Sequence, residues 1–175
     1  MKKALLIIVP IIAIAVVGVA LYNNKESKLE YYYDFDEIIH YKTNIDESDL
    51  MDIRHKQIKT TKDSMMLTMA WDYYRFPLNR AVAYLDSIDF KKQLIPVSKH
   101  RALKEIFKEK TTELDWGTAC ESVYRNIYVF KKNGKISGIA KLSYECGKSD
   151  IIGTDAYTFS FGQHDEFEEL QELVK

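Results

Sequence analysis

A chain of 175 residues with 46% apolar and 29% charged side chains is too hydrophobic for intrinsic disorder and too polar for a multi-span membrane protein. Seven Gly, three Pro and two Cys exclude collagen-like, low-complexity and disulfide-dense scaffolds, and a formal net charge of −1 supplies no field that would draw nucleic acid. The length fits one domain plus a segment that lies outside it.

That segment comes first. Lys2 and Lys3 precede an uncharged run from Ala4 to Tyr22, which as a helix is about 28 Å long and close to the bilayer core. Residues 1–22 therefore read either as a signal peptide, with small residues at Gly18 and Ala20, or as an uncleaved N-terminal anchor. Both place the rest of the chain across the membrane, because the short basic start stays in the cytoplasm. The expected location is either anchored to a bacterial inner membrane and facing the periplasm, or soluble in the periplasm or outside after cleavage. No Cys follows the apolar run directly, so lipid attachment there is excluded. Residues 1–27 carry a net +2, which leaves the remainder at −3.

Residues 23–28 (NNKESK) are polar and read as a short tether, with a single exported domain over 29–175. Aromatic and polar residues alternate from Tyr31 to Asp36, and the spacing predicts a strand near 30–42. Residues 44–63 read as a loop with at most one helical turn. Met65, Met66, Met69 and Trp71 predict a helix over Ser64–Phe76, capped by Asp63 or Ser64 and stopped by Pro77. A second helix is expected over Asn79–Ile88, and a third from Ser98 through Leu103, Ile106 and Phe107, with Phe90, Leu94 and Ile95 in the connection between them. Residues 91–110 hold seven Lys or Arg against two Glu. Such a run is usually solvated surface, and its sharper reading is a site for an anionic partner.

Val123–Phe130 and Ile136–Tyr144 flank Asn133-Gly134, the strongest short-range hairpin signal. Tyr157–Phe161 (YTFSF) alternates again and predicts a third antiparallel strand, with Ile151–Thr154 in the connection. From His164 onward Phe167, Leu170, Leu173 and Val174 fall on one helical face, with acidic residues in the first turns. The fold class is α+β: a small antiparallel sheet built on a β-hairpin near 122–145, packed with several short helices and a C-terminal helix.

Cys120 and Cys146 carry the clearest chemistry. A three-residue loop at the hairpin sets Lys131 opposite Lys135 and Cys120 opposite Cys146, within disulfide range. A two-residue turn sets Lys132 opposite Lys135, gathers Ile127 and Val129 with Ala140 and Leu142, and puts the thiols on opposite faces. A bulge near the strand ends would reconcile that packing with a bridge. An even cysteine count and an oxidising compartment favour a structural disulfide over zinc or redox chemistry. Asp34, Asp36 and His40 share a strand face and form the one cluster that resembles a metal or acid/base site, with Glu37 beside them; its plainer reading is a polar strand face. His55 and His100 lie among basic residues, and His164 reads as a neighbour of the final helix start. The chain has no G-x-S-x-G, glycine-rich phosphate loop, H-E-x-x-H or S-x-x-K. No cofactor is implied.

Thr118-Ala119-Cys120, Val123-Tyr124-Arg125, Val129-Phe130-Lys131-Lys132, Gly138-Ile139-Ala140-Lys141, Cys146, Ile152-Gly153-Thr154 and Phe161-Gly162-Gln163 resemble a group of small bacterial exported or membrane-anchored proteins with a Cys-flanked C-terminal hairpin. The likeness covers roughly half the chain and reinforces the hairpin. Asn126 stands where that group often has Asp, so the resemblance implies no acid-dependent role there. It implies no activity either. The functional expectation is a cell-envelope protein that acts as a non-enzymatic binding or interaction module. Its partners are the membrane, through residues 1–22 if uncleaved, and a protein or other component of the envelope. The alternative is an envelope enzyme with its acid/base or metal site around Asp34–His40.

Overall fold

The computed structural model describes residues 17–18, 29–71, 77–110 and 119–175. Apart from Val17 and Gly18, the expected signal or anchor segment and the polar tether lie outside these residues, as does Thr111–Gly117. No helix among the described residues is long and apolar enough to cross a membrane. The chain divides between Glu30 and Tyr31, and the fold that follows is that of Tyr31–Lys175.

Five strands, β1 (Glu37–Lys42), β2 (Lys91–Leu94), β3 (Asn126–Lys132), β4 (Lys135–Ser143) and β5 (Lys148–Ile152), form one antiparallel sheet in the order β2-β1-β3-β4-β5. Helices α1 (Glu47–His55), α2 (Thr61–Ala70) and α3 (Ala81–Ser87) supply side chains to one face, where Leu50, Leu67, Met69 and Leu85 meet Ile39, Tyr41, Ile127, Val129 and Ile139. Helices α4 (His100–Ile106) and α5 (Glu166–Val174) cover the other, where Leu103, Ile106, Phe167 and Leu170 meet Ile38, Tyr128, Phe130, Ala140 and Leu142. The architecture is α+β as expected. Both faces are buried, which is why consecutive residues in the middle of β1 (38–41) and of β3 (127–130) are all buried, with apolar or aromatic side chains instead of an alternation.

The hairpin takes the two-residue turn. Asn133 and Gly134 both have positive φ, 50° and 75°, the geometry that matches the twist of the flanking strands, and Lys132 pairs with Lys135. The ladder then shifts by one: Lys131 pairs with Ile136 but Phe130 pairs with Gly138, so Ser137 is an extra residue in a bulge. That shift changes which residues share a face. Ile127 and Val129 lie with Ile139 and Lys141, and Tyr128 and Phe130 with Ala140 and Leu142, contrary to the grouping expected for an unbroken two-residue hairpin. Cys120 and Cys146 thereby return to one face and form a disulfide with a Cα–Cα distance of 5.7 Å.

The bulge also places Lys141 in the interior. It is fully buried, and its Nζ donates to the Trp71 carbonyl at 3.3 Å, lies 3.3 Å from Asp150 Oδ2 and sits 4.5 Å above the Tyr124 ring. A buried cation needs such partners because isolation from water is costly.

Several elements differ from expectation. Strand β1 starts at Glu37, and Tyr31 instead bridges to Lys108 while Tyr32 and Tyr33 enter the core. Residues 47–55 are a full helix, held by a capping box between Asp46 and Asp49 and burying only Leu50. Helix α2 begins earlier than expected because Thr60 is its cap and Asp63, at the third position, closes the box; it ends at Ala70, and residues 72–76 lie outside the described set. Asn79 and Ser98 sit in short 3₁₀ turns and cap nothing through their side chains. The stretch after Phe90 is β2, an edge strand. The third hairpin-linked strand is Lys148–Ile152, and YTFSF is a run of turns: Phe161 N–H bonds to Thr158 O and Gln163 N–H to Ser160 O. Of its three aromatic residues only Phe161 is buried, stacked on Phe107 at 5.1 Å, while Tyr157 and Phe159 stay exposed.

Candidate functional site

The three residues singled out for metal or acid/base chemistry are put to different uses. Asp34 is exposed and lies 3.2 Å from Lys132 Nζ, and Asp36 Oδ2 accepts the Asn133 N–H at 2.9 Å, so both carboxylates clasp the hairpin turn. Glu37 pairs with Lys131 at 2.7 Å. His40 lies further along β1, only 4% exposed, with its ring stacked on Tyr128 at 4.5 Å and an interplanar angle of 7°. Among the described residues no group of three or more His, Cys, Asp and Glu is placed to hold a metal ion.

His40 belongs to another constellation. Its Nε2 lies 3.0 Å from Asn126 Oδ1, which can only accept, so Nε2 carries the proton and Nδ1 is left as a lone-pair acceptor. Beside it, the hydroxyls of Tyr128 and Tyr144 are 2.9 Å apart. His40, Asn126 and Tyr144 floor a cleft of about 400 Å³ between the β2-β1-β3 end of the sheet and the last turn of α5, rimmed by Lys42, Lys91 and Lys175 and by Gln93 and Gln171, with Lys92 at its edge and its ammonium turned to Tyr41 and Asp86 on the other face. Strand pairing builds it: His40 stands opposite Gln93 on one side and Tyr128 on the other, and Lys42 opposite Lys91 and Asn126. Lys99 donates to the Leu173 carbonyl and so fastens the end of α5.

The charge of the cleft is simple. No carboxylate side chain lines it. Lys92 is engaged by Asp86 at 3.1 Å, whereas Lys42, Lys91 and Lys175 form no ion pair among the described residues. The floor is neutral near pH 7. Burial, with the charge of Lys42 adding to it, lowers the His40 pKa to about 4 against the hydrogen bond that its ring donates to Asn126, and burial raises the Tyr144 hydroxyl to about 12 and Tyr128 further still. Proton transfer near neutrality needs a group poised near that pH, and none of these three is. What the cleft offers is cationic charge at the rim and directed neutral hydrogen bonding at the base.

The disulfide lies apart from it. Lys148 Nζ donates to Cys120 O at 2.7 Å, which with the bridge ties the approach to β3 against the β4–β5 turn. Spacing along the chain could not expose the cleft, since its residues come from β1, β2, β3, the end of β4 and α5. The one available signal was the basic run that opens at Lys91.

No family model matches the chain, no curated protein matches it, and no solved structure matches it.

Proposed function

We propose that the chain is an exported cell-envelope protein whose folded domain is a non-enzymatic binding module, with an anionic ligand seated in the cleft over His40. The observation that carries this reading is the pairing of a lysine rim, with no carboxylate side chain in the lining, with a buried neutral floor of His40, Asn126 and Tyr144. Pockets with a few convergent polar groups are the usual place for a ligand. Export is supported by the apolar N-terminal run, by the likeness of the C-terminal half to exported proteins and by the disulfide, a bond that persists in oxidising compartments. An acid/base or metal site around Asp34, Asp36 and His40 is not favoured, because both aspartates hold the hairpin turn.

Two measurements test the reading. A reporter fused after Lys175 is expected to be active only outside the cytoplasm, and cytoplasmic activity would overturn the export assignment. For the full chain in detergent, small polyanions are expected to raise the thermal midpoint in a saturable way that the Lys42→Glu/Lys91→Glu variant abolishes. An equal rise in that variant would remove the cleft as the site.

A further inference from the structure

Resting on that reading, the geometry points to a narrower ligand class: a phosphate ester that carries a free hydroxyl group, such as a phosphorylated polyol or sugar, with its phosphate at the lysines and its hydroxyl on the floor.

The rim argues for phosphate. Lys42 and Lys91 stand directly opposite each other across β1 and β2, and pairing in the ladder puts them on the same face. Like charges at that spacing destabilise a sheet, so the pair becomes favourable when an anion lies between them. The lining cations are all Lys, with no Arg among them. A guanidinium fork recognises carboxylate and phosphate alike, whereas ammonium groups act as point charges, and several of them converge well on a compact, multiply charged anion such as phosphate.

The floor argues for a hydroxyl. A purely anionic ligand calls for donors alone. Here Nδ1 of neutral His40 is an acceptor, and the Asn126 amide, whose oxygen is spent on Nε2, has its N–H₂ left as a donor. The two ring nitrogens point to opposite sides of the imidazole, so a ligand with more than one hydroxyl meets both, one giving its hydrogen to Nδ1 and another accepting from the amide. A cleft of about 400 Å³ suits a ligand of that size.

The ligand could be a free phosphomonoester or the headgroup of a lipid, and soluble probes separate them. Titration of the full chain in detergent would compare sn-glycerol 3-phosphate, the phosphodiester glycerophosphoglycerol, and methyl phosphate, which lacks the carbon-borne hydroxyl. At least one glycerol-bearing probe is expected to bind tenfold or more tightly than methyl phosphate: preference for the monoester marks a free phosphate ester, and preference for the diester marks a headgroup. Lys91→Gln, on the exposed rim, is expected to weaken that probe at least tenfold, and His40→Gln to remove the advantage over methyl phosphate. Equal affinity for all three probes, or an unchanged affinity in Lys91→Gln, would overturn the proposal. Citrate binding that depends on Lys91 without any phosphate ester binding would overturn it while leaving an anion site in place, and failure of every anion would sink both.

Discussion

Tyr33 lays its ring across β4 at the place where Gly138 has no side chain, stacking on Phe130 at 4.3 Å and donating its hydroxyl to Ile139 O at 2.7 Å. A Cβ at 138 would fall inside the Tyr33 ring and 2.9 Å from Ile152 O. Gly138→Ala is therefore expected to destabilise the domain by about 1–3 kcal/mol, the usual cost of overpacking a tight core, as read from a denaturant midpoint. A shift below about 0.5 kcal/mol would mean that the ring moves aside freely. His40 makes a prediction about pH. Its folded pKa of about 4 lies below the ordinary 6.5, so the unfolded chain takes up a proton that the folded one refuses. Stability is intact above pH 6.5 and declines as the pH falls toward 4. The linkage amounts to about 2 kcal/mol by pH 5 and about 3 kcal/mol at its limit. Chemical denaturation of the wild type and His40→Gln at pH 7 and pH 5 isolates this loss from that of the carboxylates, and parallel losses in the two would show that His40 is not the group responsible.

Among the elements, the β3–β4 hairpin dominates the prediction for Cys120 and Cys146. The bridge spans a sequence separation of 26, for which the chain-entropy estimate is about 3.5 kcal/mol before any native strain. Cys120→Ser/Cys146→Ser should lower the unfolding midpoint accordingly, and denatured, unreduced native protein should show no free thiol to a labelling reagent. Two labelled cysteines would reject the bridge. This hairpin was legible in sequence because Asn133-Gly134 demands one turn geometry and the flanks are rich in β-formers. The bulge at Ser137 was not, since pairing shifts leave no mark in composition. Nor was β2: Lys91, Lys92, Gln93 and Leu94 are all exposed on an edge, so no apolar alternation marks them. Helix α1 was hidden for a related reason, because it buries one residue and relies on its capping box. His40 could be picked out as a residue, but its companions could not. Asp34 and Asp36 are near in sequence and turn to the hairpin, whereas Gln93, Asn126 and Lys91 arrive by cross-strand pairing.

At the scale of the molecule, the two-faced burial explains why single-period patterns misled. The sheet carries aromatic and aliphatic residues toward α1–α3 and toward α4 and α5 alike, so β1 is buried without alternation from Ile38 to Tyr41, and the aromatic abundance of the chain is spent mainly in core packing around Tyr33, Phe107, Tyr128, Phe130 and Phe161. The strand order has a consequence for how the protein is made. Strand β1 is synthesised first but lies between β2 and β3, and the Glu37–Lys131 contact that marks its pairing with β3 spans 94 residues. Contacts of that separation slow folding. Throughout synthesis, the inner edge of β1 waits for a partner that has not yet emerged. Lysines 91 and 92 guard the outer edge of β2 once it has docked, but they do nothing for the inner one. During that interval the open edge can pair with another copy of the chain, so aggregation competes with folding until β3 arrives.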